Sequence, residues 1–149
     1  MKLEEEIKQK KFNSEYQKLA VNIIFTHGWL MSTQKKFFDN YEITGTQYNI
    51  LRILRGQHPQ PVSINILKER MLDKMSDASR LVERLRIKGL VDRNICKGDR
   101  RKSEVNITEK GLKILKELDK TEAELEKCFK SLSLSETKKL NDLLDKMRG

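Results

Sequence analysis

Residues 75–108 read MSDASRLVERLRIKGLVDRNICKGDRRKSEVNIT, and this stretch decides the fold. It begins with a short helical pattern that has one apolar face, and Gly89 follows. Two strand-like runs, 90–96 and 103–108, flank a basic tip at residues 97–102. A helix, a strand, a charged turn and a second strand, in this order, are the parts of a recognition helix and its wing. The stretch therefore predicts a DNA-binding regulator.

The predicted recognition helix, which we expect to begin near Met75, has two chemically different faces. One is apolar, and the other carries short polar side chains at its start and arginines one turn later. Short side chains allow close approach to DNA, and arginine reaches phosphates or guanine edges. A solvated face with charge pairs four residues apart is the alternative interpretation. The predicted DNA contacts on this helix are Ser76, Asp77, Ser79, Arg80 and Arg84.

The tip of the predicted wing concentrates positive charge. Gly98 supplies a tight turn, and the basic side chains around it repel one another unless a polyanion lies alongside. Asp99 among these bases indicates a hydrogen bond that aims an arginine, whereas the alternative is an ordinary charged turn. The predicted DNA contacts in the wing are Lys97, Asp99, Arg100, Arg101 and Lys102.

Composition and charge agree with a polyanionic partner. The chain has 149 residues, enough for one domain or two closely packed lobes. Hydrophobic residues make up 37% and charged residues 36%, and the formal net charge is +9. A membrane surface would attract the same charge, but the sequence contains no run of about 18 apolar residues that could span a bilayer. Double-stranded DNA is therefore the expected partner.

The N-terminus and the cysteines indicate the compartment. The first residues, MKLEEEIKQKKF, have no apolar core of a secretory signal. Cys96 and Cys128 form neither a CxxC pair nor a disulfide framework, so a reduced, cytoplasmic location fits best. The scattered histidines and cysteines make a structural zinc site improbable, and we expect no metal and no cofactor.

Apolar periodicity assigns helices to both chain ends. Residues 12–41 read as one long helix that is apolar on more than one side, which indicates burial against a second subunit. A fifth helix with Thr108 as N-cap keeps a near-heptad rhythm through Leu132, and a last helix follows Ser133. These helices pack most naturally on each other and on a second copy. We therefore expect a homodimer whose helical dimerisation lobe is built from both ends of the chain.

Between the two ends, shorter helices complete the DNA-binding lobe. Thr44 and Gln47 match a capping box that begins a helix ending near Gly56, and Ser63 is a plausible N-cap for a third helix. The expected fold is mainly α with a small β-hairpin wing, a winged helix-turn-helix. One domain would span residues 1–149, with dimerisation helices at about 1–41 and 112–149 and the DNA-binding lobe at about 43–111.

Aromatic and polarisable side chains suggest a ligand site between the lobes. The candidates come from the first helix and from the start of the second. They could line a cavity for a small aromatic effector, or they could be ordinary core, and a histidine on an apolar helix is more often structural. The candidate ligand contacts are His27, Trp29, Met31, Phe38 and Tyr48.

These stretches resemble the MarR family of bacterial winged-helix transcription regulators. The resemblance covers most of the chain, and its most specific piece is Asp99-x-Arg101 in the wing. It rests on ITGTQYNILRIL at 43–54, SRLVERLRIKGLVDR at 79–93, GDRRKSEVNIT at 98–108 and TEKGLKIL at 108–115.

The resemblance implies roles that the residues alone do not assign. Arg101 would enter the minor groove, and Asp99 would hold the shape of the wing. Dimers of the family clamp pseudo-palindromic DNA, and many release it when a small, often phenolic, ligand binds. These properties imply a repressor.

The sequence departs from the peroxide-sensing branch of that family. That branch carries a reactive cysteine near the start of the first helix, where this chain has none. Redox control through Cys96 would need a thiolate favoured by neighbouring Lys97. A buried, inert strand cysteine is the preferred interpretation.

Two rival classes are weaker. A winged helix that binds a protein partner would need neither the basic tip nor the arginines on the recognition helix. An enzyme would need a nucleophile with its base, a glycine-rich phosphate loop or a metal cluster, and the sequence has none of these at sensible spacing. We therefore expect a sequence-specific DNA-binding regulator and no catalytic residues.

Overall fold

The computed structural model describes residues 1–94 and 103–149. The chain folds into helices and a small antiparallel sheet, which confirms the predicted mainly α winged helix-turn-helix. The elements in chain order are α1 (Leu3–Glu6), α2 (Glu15–Asp39), α3 (Gly45–Arg55), β1 (Val62–Ser63), α4 (Ile64–Arg70), α5 (Ala78–Ile87), β2 (Val91–Asn94), β3 (Glu104–Ile107), α6 (Glu109–Asp119), α7 (Glu122–Lys127) and α8 (Leu134–Arg148).

The sheet has the strand order β1-β3-β2, with both pairs antiparallel. β2 and β3 form the base of the predicted wing, where Val91 is paired with Ile107 and Asn94 with Glu104. β1 joins the other edge of β3 by pairing Val62 with Val105. The sequence did not predict β1 because two residues are too few for an alternating pattern.

The main core lies between α3, α4, α5, α6 and the sheet. Apolar side chains from each element are removed from solvent, and each such side chain contributes roughly 1.5–3 kcal/mol to folding. The core therefore holds α5 by its apolar face and leaves its opposite face to solvent. The fully buried core residues include Ile50, Leu51, Leu54, Leu67, Val82, Leu85, Leu90, Val105 and Leu115.

Local capping bonds fix where most helices begin. In α3 the predicted capping box is present. The backbone amide of Gln47 donates to Thr44 Oγ1 (3.2 Å), and the backbone amide of Thr44 donates to Gln47 Oε1 (3.1 Å). Ser63 caps α4 and Thr108 caps α6, as predicted. Each cap satisfies amides that the first helical turn would otherwise leave without a partner.

Gly111 allows the sheet to pack closely on α6. A Cβ atom at this position would overlap the carbonyl oxygen of Leu90 and would lie 2.7 Å from Ile107 Cγ1. Only glycine fits this contact without a shift of the backbone. The first turn of α6 is therefore pressed directly against the base of the hairpin.

The recognition helix, α5, begins at Ala78 rather than near Met75. Asp77 is its N-cap and accepts a hydrogen bond from the Arg80 amide (3.1 Å). The preceding residues form a turn around Asp73, which accepts from the Met75 amide (2.9 Å) and from the Ser76 hydroxyl. The predicted start was wrong because Asp77 caps the first helical turn, and the residues from Asp73 to Ser76 form a separate turn before it.

The predicted fifth helix is divided into two. α6 ends at Asp119, the Thr121 hydroxyl donates to the Leu118 carbonyl (2.8 Å), and α7 follows. The apolar rhythm continues across the break, so the sequence pattern did not reveal it. Cys128, predicted to lie within the fifth helix, caps the C-terminus of α7.

Ion pairs join α3 to the region of this break. Arg55 donates to Asp119 through both terminal nitrogens, at 2.7 and 3.1 Å. Arg52 lies 3.7 Å from Glu122 at the start of α7. The contacts between α3 and the C-terminal helices therefore flank the break between α6 and α7 on both sides.

The helices at the two chain ends keep apolar side chains on their surface. Among the described residues of α2, Phe38 is buried, whereas Ile24 is 72% exposed. α8 has no buried residue in the described chain, and Leu143 is 53% exposed. Within residues 1–94 and 103–149, no helix has the length and apolar character needed to cross a membrane.

Candidate nucleic-acid interface and neighbouring cavity

An open groove lies along the solvent face of α5 and the adjoining strand β2. Its volume is about 730 Å³. Arginines outnumber carboxylates on its walls, so the groove carries a net positive charge. We call it the arginine groove, and its walls are Asp77, Ser79, Arg80, Glu83, Arg84, Arg86 and Arg93.

The arginines of the groove differ in their surroundings. Arg80 and Arg84 are exposed, on the first turn of α5 and one turn later. Arg86 instead donates to Glu83, with its Nη2 atom 2.8 Å from Oε1 and its Nε atom 3.1 Å from Oε2. These bonds raise the pKa of Arg86 above its ordinary value. Arg80 and Arg84 are therefore better placed than Arg86 to reach an anion.

The small polar residues predicted to contact DNA each have a partner within the chain. The Ser76 hydroxyl donates to Asp73, and this bond, followed by the Met75 amide, holds the pKa of Asp73 below its usual value. Asp77 caps α5. Ser79 Oγ accepts from Arg93 Nη2 at 3.1 Å. These residues therefore build the start of α5 and fix its position.

The predicted wing contacts lie outside the described residues. So does Cys96, the candidate redox cysteine. The structure therefore describes the predicted contact residues in and before α5, and the contacts of both α5 and the tip stay predictions. The contacts concerned are Lys97, Asp99, Arg100, Arg101 and Lys102.

Arg93 is a site residue that sequence analysis missed. It lies on β2 and is half-buried, and its Nη2 atom lies 3.1 Å from Ser79 Oγ and 3.5 Å from Ser103 Oγ. The available signal was the alternation of β2, where Val91 is buried and Arg93 occupies the same face two residues later. A charged residue on the inward face of a strand indicates a specific partner.

A second cavity, of about 690 Å³, lies between α2, the start of α3 and the turn after α4. We call it the α2–α3 cavity. It combines the apolar side chains of Met31 and Leu72 with hydroxyl, amide and charged groups. Its walls are His27, Met31, Gln34, Gly45, Thr46, Asn49, Leu72, Asp73 and Lys74.

The structure brings two of the five predicted ligand contacts to this cavity. His27 and Met31 lie one turn apart on α2 and line it. The Trp29 ring instead meets Phe129 edge-to-face, with centroids 6.4 Å apart. Phe38, 3% exposed, packs on the Tyr48 ring at 5.0 Å. Phe38 and Tyr48 thus occupy packed positions of the core, whereas Trp29 is half-buried outside it.

The wall of the cavity includes the turn that leads into α5. The Leu72 amide donates to Asn49 Oδ1 at 3.0 Å, which ties this turn to α3. Asp73 comes next and receives the hydrogen bonds of the turn that precedes α5. One short segment therefore lines the cavity and leads into the recognition helix. No cluster of three or more potential metal-ligating side chains occurs in the described part of the chain.

The fold and the groove define the class of protein. Helices α3, α4 and α5 followed by the β2–β3 hairpin make a winged helix-turn-helix, and α5 occupies the position of its recognition helix. The model of the MarR family matches residues 43–103, which contain these elements up to the start of β3. The fold is thus that of a winged helix-turn-helix protein, and over this winged helix the chain is similar to the MarR family of transcription regulators.

Comparisons with individual proteins agree. The chain is 26% identical over 120 residues to the HTH-type transcriptional repressor IacR of Pseudomonas putida. The aligned region covers 80% of this chain and 71% of IacR. A mutant of MarR from E. coli, complexed with operator DNA, is 22% identical and has a TM-score of 0.78, with 93% and 99% of the two chains covered.

A third similar structure carries a small molecule. The organohalide-sensing regulator RdhR in its 2,4-dichlorophenol-bound form is 16% identical, with a TM-score of 0.81 and 94% and 85% of the two chains covered. At this identity, the similarity establishes the shared fold.

Proposed function

We propose that this protein is a sequence-specific DNA-binding repressor that acts as a homodimer on a pseudo-palindromic operator. The arginine groove on α5 is the observation that carries the proposal, because it presents Arg80 and Arg84 on the solvent face of a recognition helix. The similarity to the repressor IacR supports repression rather than activation. The MarR structure with operator DNA supports the type of partner.

The exposed apolar faces of the chain ends support the homodimer. Side chains of α2 and α8 that are partly or largely exposed in one chain, such as Ile24 and Leu143, would be buried between two copies. A twofold dimer would present two copies of α5 to successive major grooves, with half-sites about one helical turn apart. The symmetry of the protein would then set the symmetry of the operator.

The contacts with DNA would divide into two kinds. Arg80, at the N-terminal end of α5, is in the position from which recognition helices reach base edges. Arg84 would contact phosphate, and the wing residues Arg101 and Asp99 would act at the flanking minor groove, as the family resemblance implies. Affinity would fall steeply with salt, by a log–log slope of about 0.9 per neutralised phosphate.

A small aromatic effector would occupy the α2–α3 cavity and release the DNA. The cavity offers the Met31 side chain for an aromatic ring and several polar groups to orient it. RdhR bound to 2,4-dichlorophenol shows that a regulator of this fold accepts a phenol. Titration of phenols should change Trp29 fluorescence, since Trp29 lies on α2, the helix that forms one wall of the cavity. A DNA-releasing compound that left this fluorescence unchanged would count against the proposed site.

The function is tested by selecting bound fragments from a random DNA library at ~0.15 M salt, where electrostatic binding is already partly screened. Enrichment of one pseudo-palindrome is expected. Recovery of DNA without a shared sequence would contradict sequence specificity. Failure to recover any DNA would favour a winged helix that binds a protein partner.

A further inference from the structure

We propose that Arg93 is a positioning residue for DNA recognition. It would set the orientation of the recognition helix relative to the hairpin by bridging Ser79 and Ser103. The DNA-binding consequence of this inference rests on the proposed function, whereas its structural consequence does not.

The bridge is made by a single guanidinium group. Arg93 Nη2 lies 3.1 Å from the hydroxyl oxygen of Ser79 on the first turn of α5. The same atom lies 3.5 Å from the hydroxyl oxygen of Ser103, which immediately precedes β3 and is fully buried. Arg93 is paired with Val105 in the hairpin register. The contact therefore spans the helix and both strands.

The place of the bridge along α5 explains its effect. The covalent connection between α5 and β2 lies at the C-terminal end of the helix, where the Leu90 amide donates to the Leu85 carbonyl (3.0 Å) and Gly89 turns the chain at φ +72°. β2 then runs back along the helix, so Arg93 meets Ser79 near the opposite end. The buried face of α5 is held by the core, and the Arg93 contact adds a second connection between the helix and the hairpin, near the N-terminal end of the helix.

The geometry calls for arginine in particular. A guanidinium is a planar fork that donates in fixed directions, whereas a lysine ammonium is a compact charge on a flexible stem. Lysine at position 93 would keep the positive charge and lose the fork. The substitution Arg93→Lys therefore separates a positioning role of Arg93 from a purely electrostatic role.

The competing role for Arg93 is a direct phosphate contact, because it also lines the arginine groove. The two roles predict different results. A phosphate contact tolerates lysine, does not depend on Ser79 or Ser103, and contributes equally on every DNA sequence. A positioning residue needs its serines and affects the operator more than random DNA.

The test compares the full-length wild type with Arg93→Lys and with the double variant Ser79→Ala, Ser103→Ala. Affinity is measured on the selected operator and on random-sequence DNA over a range of salt. We expect Arg93→Lys to lose about tenfold in operator affinity, as for roughly one charge-assisted hydrogen bond. The salt slope should stay unchanged and random DNA should be bound as before. The serine double variant should show the same loss, and combining all three changes should add little.

Matched changes away from the groove serve as controls. Arg148→Lys and Ser135→Ala replace exposed residues of α8 with the same chemistry and should leave operator affinity unchanged. Wild-type operator affinity in Arg93→Lys would overturn the inference. Equal losses on operator and random DNA would overturn it as well.

Hydrogen exchange provides a readout that needs no DNA. In Arg93→Lys, amides in the first turn of α5 should exchange faster, while amides near Leu85, at the other end of the helix, keep their protection. Unchanged exchange in that first turn would overturn the inference even if operator binding were lost. If the wild type selected no DNA sequence, the proposed function would fail, and this exchange measurement would still decide whether Arg93 positions α5.

Discussion

At the scale of single residues, the arginines of α5 are distinguished by their place along the helix. Arg80 is on the first turn and Arg84 one turn later, and both are exposed. Neighbouring Arg86 is held by Glu83. The side chains of Arg80 and Arg84 therefore extend into solvent, whereas that of Arg86 is engaged on the helix itself. Substitution of Arg80 and of Arg84 can test what each contributes to DNA binding.

Arg80→Ala should weaken operator binding by about 1–3 kcal/mol and should affect random DNA less, because a base contact is lost. Arg84→Ala should weaken both alike and lower the salt slope by about 0.9, because a phosphate contact is lost. Competition binding on the two DNAs measures both effects. Lys139→Ala removes an equal charge from exposed α8 as a control. Equal losses on the two DNAs for Arg80→Ala would show that Arg80 contacts only phosphate.

Gly111 and Gly28 form a matched pair for testing close packing. Gly111→Ala should destabilise the fold by about 1–3 kcal/mol, because the new methyl group overlaps the Leu90 carbonyl and Ile107. Gly28→Ala places its methyl group in open space on α2 and should stabilise by up to ~1 kcal/mol. Urea unfolding at one fixed protein concentration compares them. An unchanged unfolding midpoint in Gly111→Ala would contradict the packing described here.

At the scale of elements, local signals predicted helix starts better than helix ends. Thr44, Ser63 and Thr108 were recognised as caps because a cap bonds within its own first turn. The start of α5 was misplaced, since the residues around Asp73 form a turn of their own and Asp77 caps the helix that follows. The break after α6 was missed because apolar spacing continues through it.

The same reasoning explains which site residues the sequence revealed. Arg80 and Arg84 follow from helical periodicity, which is a local property. Arg93 was missed because its partner Ser103 lies across the sheet, and strand pairing does not appear in a local pattern. Trp29 was assigned to the cavity by its chemistry, whereas its direction on α2 takes it to Phe129.

The Asp73 turn should make stability depend on pH. Hydrogen bonds from Ser76 and Met75 depress the folded-state pKa of Asp73. A depressed pKa contributes stability above the unfolded pKa of about 3.9, and this contribution is lost as pH falls through the lower folded value. Asp73→Asn should therefore be less stable than wild type at pH 7, with the difference closing as pH falls below ~3.9.

Urea unfolding between pH 7 and pH 3 measures this difference. Ser76→Ala removes the largest cause of the pKa shift of Asp73. This variant should also be less stable than wild type at pH 7, by less than Asp73→Asn, and its difference from wild type should also close as pH falls. A constant difference between Asp73→Asn and wild type over the whole range would contradict the assignment.

At the scale of the whole molecule, the exposed apolar helices of the chain ends predict how the protein assembles. Ile24→Glu on α2 should convert the proposed dimer to monomers, because it would bury a charge between two copies. Ile66→Glu, on α4 of the winged helix, introduces the same charge at an isoleucine that is 45% exposed and should leave the dimer intact. Sedimentation velocity measures the mass of each. A dimeric Ile24→Glu variant would place the interface elsewhere.

The turn shared by the α2–α3 cavity and α5 has a thermodynamic consequence. Leu72 and Asp73 line the cavity and lead directly into the recognition helix. If an occupant weakens operator binding by some factor, the operator must weaken the occupant's binding by the same factor. An effector affinity measured on the free protein would then overstate its affinity for the repressor on DNA. The effector concentration that releases the operator is thus set jointly by the effector and by the strength of the operator.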